Sequence, residues 1–385
     1  MKKILIFIVV LFLGFITKVK AETNLELAKT AKSAIIIEQT TGAVIFEKNS
    51  HEKLHPASMT KMMSMLLIME EIEKGTLKWN EIVTISEKAS GMGGSQILLE
   101  TGEKMSVKDL FKGVAIASGN DAVVALAERV SGSMEEFIKN MNKKAKELGL
   151  KNTNFKNPHG LDDANHYSSA YDMGMIAKEL SKHEKIFEFT SIYEDYLRKG
   201  TDRETWLVNT NKLVRFYSGV DGFKTGYTKE AGYCLTASAK KNDMRIITVT
   251  MGSEDSKVRN SETTEMLNYA FSTYKLNTIL SKNTILDKKI VNKGKMKHAT
   301  IVPKTDVTSL NKKTDKKKEM TYDLKLDTIK APVKNGDKVG IITVKENGKK
   351  TGEIEVTIKE NIKKASLINL YFRYLSEIIT GEISI

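Results

Sequence analysis

Three short stretches carry residue types that could do chemistry together. The first is HPASMTKMM, residues 55–63, which sets the Ser58 hydroxyl three positions before the Lys61 amine. On a helix this spacing lays the lysine over the serine on one face. A serine after Pro-Ala and before an apolar run also reads as a helix cap, so Ser58 is read both as a cap and as a nucleophile. The sequence has six histidines, none in a metal-binding pair, and no G-x-S-x-G elbow. Activation of Ser58 therefore falls to lysine, which acts as a base only when neutral. Its pKa must drop several units from roughly 10.4, through burial or a neighbouring cation. The apolar stretch from Met59 supplies burial, and a second lysine would supply the cation. Ser118-Gly119-Asn120 offers a hydroxyl and an amide at a glycine-interrupted turn. Lys224-Thr225-Gly226 offers the cation on a strand, where the glycine allows close approach to the backbone. Each triplet alone is a weak signal. Ser-x-x-Lys, Ser-Gly-Asn and Lys-Thr-Gly in that order, on a helix start, a loop and a strand, form a strong one.

The elements that must position these groups follow from hydrophobic periodicity. Residues 34–37 and 43–46 are apolar strands joined by a Thr40-Thr41-Gly42 turn. Residues 59–72 are apolar nearly all round, as in a helix buried inside a domain. Helical period recurs over 107–116, 122–130, 134–148 and 170–180. Strands return at 219–228, 232–239 and 244–251, and a helix over 261–274 closes the unit. Strands on both sides of a helical insertion predict an antiparallel sheet flanked by helices, an α/β or α+β fold. Beyond about residue 275, period-two alternation in 322–327 and 352–359, with an Asn347-Gly348 hairpin turn, predicts a small all-β domain.

With these motifs the sequence resembles the low-molecular-mass penicillin-binding proteins that act as serine D-alanyl-D-alanine carboxypeptidases. ASGMGGSQILLETGE, AIASGNDAVVALAE, NPHGLDDANHYSSAYDM and GVDGFKTGYTKEAGYCLTASA all look like family sequence. The resemblance covers essentially the whole chain after its first segment and implies a β-lactamase/transpeptidase-like fold. It implies that Ser58 attacks the carbonyl between the two terminal D-alanines to form an acyl-ester, and that Lys61 takes its proton. Ser118 would relay a proton to the leaving nitrogen, and Asn120 would hold Lys61 and the substrate amide. Lys224 and Thr225 would bind the terminal carboxylate, beside Gly226. The backbone N–H of Ser58 and one from the strand after Lys224 would form an oxyanion hole. Arg259 is read first as a surface salt-bridge residue, and otherwise as a further carboxylate contact. Peptidoglycan stem peptides are the implied substrate, β-lactams the implied covalent inhibitors, and no cofactor or metal is called for. The glycines at 91–94 lack the Gly-Lys-Ser/Thr ending of a phosphate loop and resemble a family loop instead.

Two alternatives are weighed against this reading. A class A β-lactamase shares Ser-x-x-Lys and Lys-Thr-Gly but reads Ser-Asp-Asn in the middle motif and carries a glutamate on a loop to activate the deacylating water. Residues 157–172 contain no glutamate. A non-catalytic wall scaffold of the same fold would show loss of a motif, and none is lost.

Composition sets the surroundings. The chain of 385 residues, 41% hydrophobic and 28% charged, suits a soluble protein of two domains. Residues 1–21 open with Lys2 and Lys3, the first two of four lysines, followed by an apolar run too short to span a bilayer and small residues at the end, the pattern of a cleaved export signal. The rest divides into a catalytic domain at 22–275, the β domain at 276–360 and a tail at 361–385. The formal charge of +13 stays positive without the four signal lysines. An exported basic protein points to anionic wall and lipid headgroups rather than nucleic acid. The single cysteine, Cys234, reads as a small packed residue, and the lysine run at 312–318 as a solvated loop. In the tail, Leu367, Leu370, Tyr371, Tyr374 and Ile378 share one helical face, predicting a helix in a membrane interface. Docking of that helix on the β domain is the alternative.

Overall fold

The computed structural model describes residues 26–315, 320–346 and 348–381. The expected export signal lies outside them, as do Asn347 and part of the lysine run. The catalytic unit is built on a five-stranded antiparallel sheet of β1 (Ser33–Glu38), β2 (Val44–Lys48), β3 (Val220–Thr228), β4 (Gly232–Lys241) and β5 (Met244–Ser253), in the order β2-β1-β5-β4-β3. Every residue of β1 is buried because both sheet faces are covered. Ile35 and Ile37 join the larger core, and Ala34 and Ile36 join a second core with Met266, Leu267 and Ala270. This is the period-two alternation of a strand with apolar partners on both sides.

The larger core holds α1 (Lys61–Lys74), α2 (Val107–Ala117), α3 (Asn120–Ser131), α4 (Met134–Glu147) and α5 (Ala170–Leu180). The opposite face carries α6 (Ser256–Thr273), whose first turn is capped by the Asp255 carboxylate, accepting from Lys257 and Val258 N–H. This helix starts five residues before the expected 261, because its opening turn is polar apart from the exposed Val258 and carries no apolar period.

The expected helix from Met59 is corrected in one respect. Residues Ala57–Thr60 form a 3-10 turn and the α-helix proper begins at Lys61. Neither start has a side-chain cap, so Ser58 is not a helix cap. Residues 61–69 are all buried, as the all-round apolar pattern required. Gly75 ends α1 in the left-handed conformation (φ +80°).

The C-terminal unit is all β up to its final helix. Strands Met320–Leu326, Lys338–Glu346, Lys349–Ile358, His298–Pro303, Asp287–Asn292 and Ile329–Lys330 make one six-stranded sheet. Tyr274–Leu280 pairs with Val307–Lys312 beside it, over a separate apolar core. The tail helix α7 (Leu367–Ile379) begins after Ser366, which caps it. Among the described residues no helix is long and apolar enough to cross a membrane.

Candidate active site

Lys61 opens α1 with its side chain wholly buried. Its Nζ donates to Asn120 Oδ1 and to the His159 carbonyl, each at 2.7 Å, and lies 3.0 Å from Ser58 Oγ. Burial, then the charge of Lys224, hold the Lys61 amine well below the ordinary lysine range, and the Asp121 carboxylate opposes them. Asp121 is itself buried and accepts the N–H groups of Ile97 and Leu99.

Asn120 begins α3 and is fixed from three sides. Its Nδ2 donates to the Gly93 carbonyl, its backbone N–H to the Ser95 carbonyl, and its Oδ1 accepts from Lys61. The glycine-rich loop at 91–94 is thus a wall of the site. A Cβ on Gly94 would lie 2.7 Å from Asn120 Nδ2, so only glycine fits there without displacing the amide. Ser118 links α2 to α3 in the left-handed conformation (φ +64°), an uncommon state for a residue with a side chain. Its Oγ is buried and makes no hydrogen bond.

Strand β3 brings the third motif against the first. A Cβ on Gly226 would lie 2.8 Å from the Pro56 carbonyl oxygen and 3.2 Å from Ser58 N, so glycine at this position lets the strand close on the turn that bears Ser58. Lys224 is wholly buried, with Nζ donating to Thr225 O at 3.3 Å and Thr210 Oγ1 at 3.4 Å. Burial, then the nearby Arg259, push its pKa down to about 7. Thr225 is nearly buried beside it.

Arg259 corrects the surface reading. It is 5% exposed, donates to the Cys234 carbonyl at 3.3 Å and to Asn260 Oδ1 at 2.9 Å, and its charge acts on Lys224. Burial on the first turn of α6 against the start of β4, rather than an exposed ion pair, explains its place. Cys234 is buried, and burial pushes its thiol up to about 11, the behaviour of a packed residue rather than a nucleophile.

The sequence reading assigned no role to Asn157-Pro158-His159-Gly160, yet this loop supplies the third contact of Lys61. The contact is a backbone carbonyl, so residue type gave no sign of it. Asn157 Oδ1 accepts from Gly160 N–H and its Nδ2 donates to the Leu161 carbonyl, while Ser64 Oγ donates to Pro158 O. The His159 ring is held neutral by burial and then by the charge of Lys61, its pKa lowered to about 3. The signal available in the sequence was Gly160, which sits at φ +90° where a Cβ would lie 1.9 Å from the Ala57 carbonyl oxygen. The arrangement assembles a hydroxyl, a buried low-pKa amine, a fixed amide and a second buried cation, the parts of an acyl-transfer site that works without histidine.

Comparison with known proteins agrees with this chemistry. Residues 18–255 match the family described as D-alanyl-D-alanine carboxypeptidase, and residues 274–364 that described as penicillin-binding protein 5, C-terminal domain. The D-alanyl-D-alanine carboxypeptidase DacF of Bacillus subtilis (strain 168) is 53% identical over 353 residues, 91% of this chain and 91% of its own. Penicillin-binding protein 5 of Haemophilus influenzae superposes with a TM-score of 0.71 at 31% identity, over 88% of this chain and 98% of that one. Penicillin-binding protein D2 of Listeria monocytogenes, solved in its ampicillin-bound form, gives a TM-score of 0.57 at 29% identity, over 64% of this chain and 99% of its own. The chain therefore belongs to the D-alanyl-D-alanine carboxypeptidase family, as a low-molecular-mass serine enzyme with a C-terminal β domain.

Proposed function

We propose that Ser58 is the nucleophile of this carboxypeptidase and Lys61 its base. One observation carries the assignment. A neutral amine has two N–H groups and one lone pair; Asn120 Oδ1 and the His159 carbonyl take the two N–H groups, which leaves the lone pair for the Ser58 hydroxyl 3.0 Å away. The Ser58 proton passes to Lys61 as Oγ bonds to the carbonyl carbon between the two terminal D-alanines. The Ser58 N–H, with one from β3, holds the oxyanion. Collapse breaks the C–N bond, the proton reaches the leaving nitrogen through Ser118 Oγ, and free D-alanine departs. Water then attacks the ester and restores Ser58. Lys224 and Thr225, with Gly226 giving access, hold the terminal carboxylate, and Arg259 adds positive charge behind them. Asn120 holds Lys61 and the substrate amide.

β-Lactams acylate the same serine. No glutamate stands in 157–172, so the penicilloyl ester lacks the base that turns it over and persists. Peptide mapping after reaction with labelled penicillin should find the label on Ser58 and stable through denaturation. Rapid conversion to penicilloic acid would assign a β-lactamase instead.

The protein is proposed to act outside the cytoplasm, supported by the export-signal pattern at 1–21, and to rest on the membrane surface through α7. Two features support the second point. Arg373 donates to the Gly294 and Lys295 carbonyls and Glu377 pairs with Lys297 at 2.8 Å, which docks the charged side of α7 on the β domain. Leu370, expected on the apolar face, is buried there too, whereas Leu367, Ile368, Tyr371, Phe372 and Ile379 are exposed. Docking and an outward apolar face thus coexist on one helix.

A further inference from the structure

Ahead of β3 and of the short helix at Leu213–Phe216, residues 209–211 read Asn-Thr-Asn. The two asparagines are buried, and their polar atoms are engaged on both sides. Asn209 Nδ2 donates to the Thr190 and Ile192 carbonyls, and its Oδ1 accepts the Asn211 N–H. Asn211 Nδ2 donates to the Gly222 carbonyl in β3, and its Oδ1 accepts the Leu213 N–H. The turn is therefore rigid and tied to the strand that carries Lys224. Between the asparagines, Thr210 faces the site. Its N–H donates to the Ile116 carbonyl at 3.2 Å, two residues before Ser118, and its hydroxyl accepts from Lys224 Nζ at 3.4 Å.

We propose that Thr210 is a positioning residue for the reaction: its hydroxyl grips the Lys224 ammonium while its backbone, fixed on the end of α2, sets that ammonium relative to Ser118. An ammonium has three N–H groups. Thr210 Oγ1 and Thr225 O take two, and the third is left for the anionic end of the substrate. Without Thr210 the ammonium keeps a single protein acceptor in a wholly buried position and loses its aim. The same hydroxyl favours the charged form of Lys224 against burial and Arg259 from α6, which oppose it; Lys61 of α1, whose own amine Lys224 and the Asp121 carboxylate of α3 act on, is uncharged when it serves as base. The proposal rests on the reading of Lys224 as the carboxylate-binding group.

The test measures D-alanine release from a peptide ending in D-Ala-D-Ala across pH, using the full chain. Thr210→Val, which keeps the shape and removes the hydroxyl, should raise KM about tenfold with little change in kcat, and should move the alkaline limb of kcat/KM to lower pH by about half a unit to one unit. Thr210→Ser should restore both values. A role confined to folding would lower the melting temperature without moving that limb. A folded Thr210→Val with the wild-type KM and limb overturns the proposal. If Thr210→Val does not fold, Thr210→Cys, whose thiol is a weak acceptor, must show the same displaced limb, and a wild-type limb there overturns it equally. Lys224→Ala separates the two assignments. If it leaves kcat/KM unchanged, the carboxylate reading of Lys224 fails; if it depresses kcat/KM while Thr210→Val is normal, only the role of Thr210 fails.

Discussion

Replacing Gly160 by alanine is a sharp test of how the active site is held, because the residue has no side chain that could take part in the chemistry. A Cβ at this position would lie 1.9 Å from the Ala57 carbonyl oxygen, 2.4 Å from its carbon and 3.0 Å from Ser58 N. Backbone lies on the far side, so no flexible side chain can yield. Relieving the overlap takes a shift of more than about 1 Å between the loop and the 3-10 turn that carries Ser58. The preceding residue is His159, whose carbonyl accepts from Lys61 Nζ at 2.7 Å; a shift of that size takes it to roughly 3.7 Å, beyond hydrogen-bonding distance. One N–H of a buried amine then loses its acceptor, a cost of about 1–3 kcal/mol. Misplacement of a reacting group by about 1 Å costs on the order of 100-fold in rate. Acylation by labelled penicillin, followed under pseudo-first-order conditions, should slow by about two orders of magnitude. Gly75 is the control. It has nearly the same backbone conformation, at φ +80° against +90°, but nothing lies within 4 Å of its Cβ position. Gly75→Ala should lower the melting temperature through strain of about 1–2 kcal/mol and leave acylation unchanged. A folded Gly160→Ala that acylates at the wild-type rate would refute the claim that the loop positions Lys61.

Three further outcomes follow from the same geometry. The proposed base, Lys61, works only when neutral, and its pKa is well below the ordinary 10.5, so the acid limb of kcat/KM should lie well below pH 10; an acid limb near pH 10 contradicts the burial argument. Lys224 titrates at about 7 in the fold against 10.5 when unfolded, so the unfolded chain holds the proton between these values and the buried lysine costs stability, fully below pH 7 and vanishing toward 10.5. Lys224→Met should therefore abolish carboxypeptidase activity yet raise stability by about 1–4 kcal/mol at pH 6, with the gain shrinking as pH rises, and a destabilised variant at pH 6 counts against this. Ile368→Glu combined with Phe372→Glu should abolish sedimentation with anionic lipid vesicles while leaving D-alanine release intact, and unchanged sedimentation would remove α7 as the membrane contact.

The parts of this site that depend on residue type were legible in the sequence. Ser58 and Lys61 at helical spacing, the Ser118 turn and the Lys224 strand all stand on the expected elements, and hydrophobic periodicity located the strands of the sheet and its buried central helix. What stayed hidden has physical reasons. The His159 carbonyl belongs to the backbone, which every residue possesses, so only the fold reveals its use. Thr210 is an unremarkable residue type that acquires meaning from two buried asparagines and a lysine fourteen positions away. Ser58 looked like a cap because capping chemistry and nucleophile chemistry use the same hydroxyl; it lies within a 3-10 turn that has no side-chain cap, with its Oγ 3.0 Å from Lys61 Nζ. In α7, periodicity identified the apolar positions but not which side docks. Arg373 and Glu377, which a helical projection places away from the apolar face, turn out to be the inward contacts.

The central claim is that Ser58 releases the terminal D-alanine of a stem peptide. Mass spectrometry of a muropeptide ending in D-Ala-D-Ala, after incubation with the wild-type protein and with Ser58→Ala, tests it most directly. The account predicts a product lighter by one alanine residue, together with free D-alanine, from the wild type, and unchanged substrate from Ser58→Ala. Equal release by both proteins, or cleavage at another bond, would contradict it.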